Sequence, residues 1–184
     1  MHQGNRLLGA LSEADRNRIV DSCESIELKA GDRLYDPGDH VEHVHFPCGG
    51  AIASFTVLME DGRGIETALI GTEGAIGGIV SGGHLPAFAR SSVIGGGTFL
   101  RLSNDRLEAL KEELPAVRRL FARYADCLIA QIFQSAACNA THLLEQRAAK
   151  WIIASHDRTG GAAIDITQEQ LAGILGVGRS YASR

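Results

Sequence analysis

The sequence feature that most constrains the fold is a change at Leu102 from strand-like to helical residue patterns. From about Ser25 to that point, short runs of β-branched and apolar residues alternate with turn sequences such as residues 36–39 (DPGD) and 60–64 (EDGRG). Strands that recur roughly every eight to twelve residues are typical of a sandwich or barrel, and Asp61-Gly62 is the clearest hairpin signal. After Leu102, apolar residues recur at helical spacing. The sequence therefore predicts an α+β protein in which a β-roll precedes a set of helices.

Capping residues indicate where several helices begin. Ser12, followed by acidic residues, predicts a short helix through Val20. Ser103 is suited to cap a helix over residues 105–113, and Pro115 suits the first turn of a much longer helix. The β-roll is therefore expected to have helices on both sides of it in the sequence.

The long predicted helix carries an apolar stripe over roughly five turns. Its members recur at three- and four-residue spacing: Val117, Leu120, Phe121, Tyr124, Leu128, Ile132 and Phe133. A stripe of this length needs a partner, which could be the β-roll or a second copy of the same helix. A parallel two-fold pair explains the length best, so we expect a homodimer through residues 115–141. Packing within one chain is the alternative.

A further helix is predicted over residues 143–155 and is broken by Gly160-Gly161. The expected buried face comprises Leu144, Ala148, Trp151 and Ile152. Residues 162–166 are short, apolar and β-branched enough to form a strand. This strand would lead directly into the segment that is most informative about function.

Residues 167–170 (TQEQ) form a capping-box pattern, in which Thr167 and Gln170 satisfy each other's backbone N–H groups. With Gln168 as position one, six residues fit a helix-turn-helix in register: Leu171, Ala172, Leu175, Gly176, Val177 and Ala182. The ninth position, Gly176, leaves the first helix in a left-handed conformation that glycine adopts easily. The pattern therefore predicts a helix-turn-helix at the end of the chain.

The second helix of this motif is predicted to begin near Gly178. It places on its exposed N-terminal face Arg179, Ser180, Ser183 and Arg184. Arginine can donate two hydrogen bonds to guanine in the major groove, and serine can contact a base or a phosphate. DNA reading is therefore predicted for this face, with a solvated helix pair that has no DNA partner as the alternative.

Composition restricts the remaining choices. The net charge of −4 means that any DNA-binding surface must be local. The sequence has no apolar stretch long enough to cross a membrane and no apolar core of a secretory signal, so a cytoplasmic protein is expected. The four cysteines have no CxxC spacing, which argues against zinc and iron–sulfur sites and favours reduced thiols: Cys23, Cys48, Cys127 and Cys138.

Residues 166–184 resemble the helix-turn-helix of the Crp/Fnr family of bacterial transcription regulators. The likeness extends over nearly the whole chain, through residues 5–8 (NRLL), 35–38 (YDPG), 71–77 (GTEGAIG) and the segments 134–158 before the motif. It implies a cyclic-nucleotide-binding-like jelly roll as sensor (1–114), a dimerisation helix (115–141) and a partial winged helix-turn-helix (142–184).

The resemblance also implies partners and roles for particular residues. A homodimer would read a palindromic operator in double-stranded DNA, with RNA polymerase as a further candidate partner. Arg179 and Arg184 match base-reading positions and Thr167 a phosphate-contacting one, and the full set of candidate DNA-binding residues is Thr167, Gln168, Gly178, Arg179, Ser180, Ser183 and Arg184.

Members of the family that bind cyclic AMP use a Gly-Glu pair for the ribose and a later Arg-Ser or Arg-Thr pair for the phosphate. Arg90-Ser91 matches the second pair, but Gly77 is followed by Gly78, so the ribose-binding carboxylate is absent. We therefore do not expect cyclic AMP as effector, nor an iron–sulfur cluster, because the N-terminal cysteines of the Fnr branch are missing. The candidate effector residues are Gly77, Arg90 and Ser91, although Arg90 could instead form a surface salt bridge.

A different class of function deserves comparison. Gly38, His40, His43 and His45 resemble the metal-binding histidine segment of cupin enzymes, and strand alternation places His43 and His45 on one face. No glutamate follows at the short spacing that a cupin site uses. We therefore assign no metal or catalytic residue, and keep a cupin-like metal enzyme as the alternative.

The chain ends at Arg184, barely two turns into the predicted recognition helix, before the family's β-hairpin wing. A short helix without a cap frays. We therefore expect this chain to dimerise but to bind DNA weakly, and a longer form that includes the wing to bind an operator tightly.

Overall fold

The computed structural model describes residues 4–161 and 166–176. In this part of the chain, a 3-10 turn at Leu8–Ala10 precedes helix α1 at Glu13–Val20. The strands follow: β1 Glu24–Leu28, β2 Arg33–Tyr35, β3 His43–Pro47, β4 Ile52–Leu58, β5 Gly64–Ile70, β6 Arg90–Gly95 and β7 Gly97–Ser103. The remaining helices are α2 Asn104–Glu113, α3 Pro115–Thr141, α4 Leu144–Thr159 and α5 Gln168–Ile174.

The described strands form two antiparallel sheets. One has the order β1-β7-β3 and the other the order β2-β6-β4-β5. Apolar side chains from both sheets are completely or almost completely buried, including Phe46, Ile52, Ile70 and Phe99. The predicted α+β class and the N-terminal β-roll are therefore confirmed.

The predicted hairpin is formed by β4 and β5, which pair from Ala53 with Ile70 to Leu58 with Gly64. Gly62 has φ of 83°, a conformation that favours glycine. The preceding Asp61 accepts a hydrogen bond from the Arg63 backbone N–H at 3.0 Å. The turn residues thus form the hairpin that their sequence predicts.

The predicted helix starts are also confirmed. The Ser12 hydroxyl accepts a hydrogen bond from the Asp15 N–H at 3.2 Å, and the Ser103 hydroxyl accepts one from the Arg106 N–H at 3.3 Å. Pro115 is the first residue of α3. No helix in the described ranges is both long and apolar enough to cross a bilayer.

The apolar stripe of α3 divides into two halves with different surroundings. Val117, Phe121 and Tyr124 are buried against the roll, where the Phe121 ring meets the Phe46 ring edge-on with centroids 6.2 Å apart. By contrast, Ile132 is 36% exposed and Phe133 is 70% exposed. Leu120 and Leu128 are also packed against the core. Packing within one chain, the alternative interpretation of the stripe, therefore accounts for it as far as Leu128 but not for Phe133.

Helix α4 corrects one prediction. Ile152 was expected in the buried face, but it is 55% exposed, whereas Trp151 and Ser155 are buried. The buried stripe continues from Trp151 to Ser155, one turn along, because the Ser155 hydroxyl is satisfied by donating to the Trp151 carbonyl oxygen at 2.8 Å. The helix ends as predicted at Gly160, with φ of 67°. The strand predicted over residues 162–166 lies almost entirely outside the described residues.

Candidate functional site

The first helix of the predicted helix-turn-helix is present as α5. The Thr167 hydroxyl accepts a hydrogen bond from the Gln170 N–H at 3.1 Å, and the Gln170 side-chain oxygen accepts one from the Thr167 N–H at 2.8 Å. The capping box is therefore complete. Ala172 and Leu175 are buried, and Gly176 leaves the helix with φ of 70°. Each of these features was predicted from the spacing.

Two contacts hold α5 against the rest of the molecule. The Arg147 Nη2 atom in α4 donates to the Leu175 carbonyl oxygen at 2.6 Å. A Cβ atom at Gly176 would lie 3.1 Å from the Ile65 side chain in β5, so the end of α5 approaches the roll closely. Thr167 and Gln168 are exposed. The other candidate DNA-binding residues lie outside the described residues: Gly178, Arg179, Ser180, Ser183 and Arg184.

Arg90, one of the candidate effector residues in the roll, is bound to a neighbouring carboxylate, whereas the buried Ser91 hydroxyl forms no hydrogen bond of normal geometry. The Arg90 Nε atom donates to the Asp36 carboxylate at 2.6 Å, and Arg33 binds the second oxygen of the same carboxylate at 2.7 Å. The bond from Arg90 is the main reason that the Asp36 pKa is lowered. Ser91 is fully buried opposite Tyr35 in the β2–β6 pair. The arginine therefore forms the salt bridge that was the alternative reading.

Gly77 and Gly78 have no room for side chains. Gly77 has φ of 131°, and a Cβ atom there would overlap the His43 carbonyl oxygen. A Cβ at Gly78 would overlap the Gly83 backbone nitrogen and lie 2.7 Å from the Asn104 side-chain nitrogen. The backbone at these two positions is thus packed against other backbone. A carboxylate at position 78 would not fit this conformation.

The two histidines of the cupin-like reading lie side by side on β3, with ring centroids 6.4 Å apart. His45 is buried, and its burial, His43 and Arg101 lower its pKa to about 4. Within residues 4–161 and 166–176, no group of three or more His, Cys, Asp or Glu side chains is placed to hold a metal ion. The cation of Arg101 beside the pair also disfavours a metal, so the geometry does not favour the enzyme alternative.

A second region that could bind a ligand is a cleft of about 180 Å³ between β5 and the helices α3, α4 and α5, which we call the β5–α4 cleft. Its walls combine charged, polar and apolar side chains: Glu66, Ala68, Leu69, Gln131, Ser135, Cys138, Asn139, Arg147, Lys150, Trp151, Ala154, Arg158, Ile174 and Leu175. The sequence analysis did not identify this cleft. Helix α5 contributes to it through Ile174 and through Leu175 just after its end.

Glu66 is the carboxyl group in this cleft. Burial raises its pKa to about 8, although the indole of Trp151 and the cations of Arg158 and Lys150 act in the opposite direction. The Glu66 Oε2 atom and the Trp151 indole nitrogen face each other without a hydrogen bond of normal geometry. One signal in the sequence points to Glu66: strand alternation places it on the same face as the buried Ala68 and Ile70.

Of the three cationic side chains in the cleft, only Arg158 forms an ion pair among the described residues. The Arg158 Nε atom donates to the Glu73 carboxylate at 2.7 Å, which ties α4 to the loop after β5. The Lys150 ammonium lies 3.3 Å from the Cys138 sulfur. Together with Gln134, which has the larger effect, it lowers the Cys138 pKa. In the described part of the chain, neither Arg147 nor Lys150 forms a salt bridge.

Comparison with known proteins identifies the fold class. No protein-family model and no curated protein sequence matches the chain. Solved structures do match, and among them are regulators of the Crp/Fnr type with a cyclic-nucleotide-binding fold. The fold of this chain is therefore that of a β-roll joined to a long helix and a helical C-terminal segment, as in those regulators.

Three of these structures cover most of the chain. The c-di-GMP responsive global regulator CLP of Xanthomonas campestris is 13% identical with a TM-score of 0.75, over 94% of this chain and 89% of CLP. A Crp/Fnr-family transcriptional regulator from Eubacterium rectale is 16% identical with a TM-score of 0.67, over 97% and 83%. The catabolite activator protein of Thermus thermophilus is 19% identical with a TM-score of 0.56, over 97% and 83%. At these identities the likeness concerns the fold.

Proposed function

We propose that this chain is a dimeric, sequence-specific DNA-binding transcription regulator of the Crp/Fnr type, working in the cytoplasm and without enzymatic activity. The observation that carries the proposal is α5, which has the cap, the buried small residue and the left-handed glycine of the first helix in a helix-turn-helix. The fold likeness to solved regulators supports the same conclusion.

DNA recognition is assigned to the surface that begins at α5. Thr167 and Gln168 are exposed at the start of this helix, which leaves them available to a DNA phosphate. The bases would be read by the following helix, chiefly by Arg179 and Arg184, with Gly178, Ser180 and Ser183 beside them. This assignment rests on the helix-turn-helix register, which α5 follows up to Gly176.

Dimerisation is assigned to the second half of α3. Exposed residues recur there at intervals of four, three and four, which is the spacing of a coiled-coil seam: Ile129, Phe133, Ala136 and Ala140. No charged residue occurs from 127 to 141. An uncharged exposed face with a 70% exposed phenylalanine is costly in water, and a second copy of α3 would cover it.

Cyclic AMP is not the proposed effector. The backbone around Gly78 has no room for the ribose-binding carboxylate, and Arg90 already binds Asp36. A nucleotide phosphate at Arg90 would have to compete with that carboxylate. No iron–sulfur cluster and no metal are proposed either, so the regulator would respond to another signal.

The test of DNA recognition is selection of bound sequences from random duplex DNA at two stated salt concentrations, because phosphate contacts weaken steeply with salt. The chain is expected to bind weakly and to enrich a palindrome with half-sites about 34 Å apart at the lower salt concentration. Arg179→Ala should abolish the enrichment, whereas Thr167→Val should weaken binding to all sequences similarly. Folded protein that enriches no sequence would contradict the proposal.

The dimer is tested by measuring mass in solution with light scattering. Phe133→Glu should convert the dimer into a monomer, because it places a charge in the proposed seam. Gln134→Glu is the matched control, since it adds the same carboxylate one position along the same turn, outside the seam. A wild-type monomer at micromolar concentration, or equal masses for both variants, would rule out this seam.

A further inference from the structure

The β5–α4 cleft contains buried polar atoms that the protein does not satisfy. Among the described residues, Glu66 Oε2, Arg147 Nε and Trp151 Nε1 are each inaccessible to solvent and form no hydrogen bond of normal geometry. All three residues line the same cleft. Glu66 Oε2 and Trp151 Nε1 face each other, which leaves Arg147 Nε as the buried donor without a partner. A buried polar group without a partner costs on the order of 1–3 kcal/mol, so this donor indicates a missing acceptor in the cleft.

The charge of the cleft favours an anion. Arg158 is neutralised by Glu73, but the cations of Arg147 and Lys150 have no carboxylate partner in the described ranges. Glu66 is the acid in the lining, and burial favours its neutral form. Arg147 Nη2 binds the Leu175 carbonyl oxygen and Lys150 lies against the Cys138 sulfur, but neither cation has an anionic partner among the described residues. Both can therefore donate to an anion in the cleft.

The volume of the cleft and its apolar lining residues indicate the size and polarity of the ligand apart from its anionic group. Its volume of about 180 Å³ is far more than one water needs and comparable to cavities that hold a benzene-sized molecule. The lining also includes aliphatic side chains: Ala68, Leu69, Ala154, Ile174 and Leu175. A ligand with an apolar body of roughly six to ten non-hydrogen atoms suits this space.

We propose that the β5–α4 cleft binds a small carboxylate with an apolar body, whose carboxylate group accepts hydrogen bonds from Arg147 and Lys150. The apolar body packs between β5 and α5. As a ligand site, the cleft does not depend on DNA binding. As an effector site, it rests on the regulator proposed above, because its wall includes the end of the first helix of the helix-turn-helix.

Binding can be followed with the protein's own fluorescence, because Trp151 is the single tryptophan of the chain and lines the cleft. Benzoate is the probe and benzamide, which has nearly the same shape but no charge, is its control. We expect benzoate to change the emission saturably, with a dissociation constant on the order of 1 mM. Benzamide should bind at least tenfold more weakly.

Two pairs of variants locate the site. Ala154→Leu fills the cleft and should weaken benzoate binding at least tenfold, whereas Ala149→Leu, on an exposed position of the same helix, should leave it unchanged. Lys150→Met should weaken binding similarly, and Lys150→Arg should restore it because the cation is kept. Circular dichroism melts establish that each variant is folded.

The outcomes separate this proposal from the proposed function. No saturable change with benzoate, equal binding of benzamide, or equal binding by folded Ala154→Leu and wild type would each overturn the carboxylate site. None of these results bears on DNA recognition, which is measured by sequence selection. Conversely, benzoate binding with the expected variant pattern in a chain that enriches no DNA sequence would leave the ligand site standing and remove its role as an effector site.

Discussion

Two regions of this molecule could hold a ligand, and they differ in what their polar groups already bind. In the roll, Arg90 is held by Asp36, Ser91 is fully buried, and the backbone closes over Gly77. In the β5–α4 cleft, buried donors and an acceptor lack partners. Three buried polar atoms in and beside the roll also lack a hydrogen bond: His45 Nδ1, Ser91 Oγ and Asn104 Oδ1. Resemblance to a family thus directs attention to the roll, where the arginine next to Ser91 is already paired, whereas the unpaired cations Arg147 and Lys150 lie in the β5–α4 cleft.

The largest expected effect comes from adding the missing carboxylate to the roll with Gly78→Glu. The new Cβ would meet the Gly83 backbone and Asn104, which cannot move away cheaply. We expect a loss of about 3 kcal/mol or more in the free energy of unfolding, and no gain of cyclic AMP binding. Gly9→Glu, where nothing lies within 4 Å, should change stability by less than about 0.5 kcal/mol. Chemical denaturation measures both. A stable Gly78→Glu variant would show that the roll is open to a ligand after all.

A smaller effect is expected from Glu66→Gln in the cleft. Burial raises the Glu66 pKa to about 8, from an ordinary value of 4.5. Between these values the folded chain holds a proton that the unfolded chain has released, so wild-type stability falls as the pH rises, by about 1 kcal/mol per unit. Above about pH 8 this contribution is constant.

The Gln variant removes this dependence and should be more stable than wild type at pH 8, on the order of 2 kcal/mol, with little difference at pH 5. The charged and titratable groups around Glu66 are unchanged in the variant: Cys138, Arg147, Lys150, Arg158 and Glu73. Unfolding curves from pH 5 to 8 measure the difference, with the exposed Glu112→Gln as control. Parallel pH profiles for Glu66→Gln and wild type would show that the carboxyl is not held neutral.

Next in size is Arg158→Met, which removes the ion pair between α4 and Glu73. The arginine side chain is 19% exposed and its partner 35%, so the pair is partly shielded from water. We expect a loss of about 1 kcal/mol and weaker benzoate binding, because the cleft wall loses its tie to the roll. Arg123→Met, at an exposed position of α3, is the matched control. Unchanged benzoate affinity in Arg158→Met would show that the ion pair with Glu73 does not support ligand binding in the cleft.

The smallest effect is expected from Arg90→Gln. It removes the bond to Asp36 but leaves Arg33 on the same carboxylate. The Asp36 pKa should rise toward its ordinary value, and stability at pH 7 should change less than in Arg158→Met. Benzoate binding should stay as in wild type. NMR titration of Asp36 and the fluorescence assay measure these results. A marked loss of benzoate binding in Arg90→Gln would show that the anion binds in the roll and not in the β5–α4 cleft.

Sequence patterns predicted the fold well because most of its elements are set locally. Ser12, Ser103 and Thr167 cap the helices they were expected to cap, and Gly62 lies in the predicted hairpin turn. These features depend on a residue and its nearest neighbours. The error at Ile152 arises because helical spacing does not show which of two adjacent helix faces packs on the roll. Ser155 can lie on the buried face because its hydroxyl donates to the Trp151 carbonyl oxygen.

The cleft could not be predicted in the same way, since its polar groups come from distant parts of the chain. Glu66 is in β5, and Arg147 and Trp151 are in α4. Only the packing of α3, α4 and α5 on the roll brings these residues together. Alternation along β5 places the half-buried Glu66 on the same face as Ala68 and Ile70, but nothing in the sequence indicates the donors it meets. The roles of Gly178 and Arg179 remain predictions from the helix-turn-helix register.

The Arg147 guanidinium joins two places that are far apart in the sequence. Its Nη2 atom is bonded to the last turn of α5, through the Leu175 carbonyl, while its Nε atom is the buried donor that lines the cleft. A guanidinium is flat and stiff, so these two nitrogens move as one body. A movement of the guanidinium at one nitrogen thus also moves the other nitrogen. A ligand that binds Arg147 in the proposed site would therefore also shift the group that holds the Leu175 carbonyl at the end of α5.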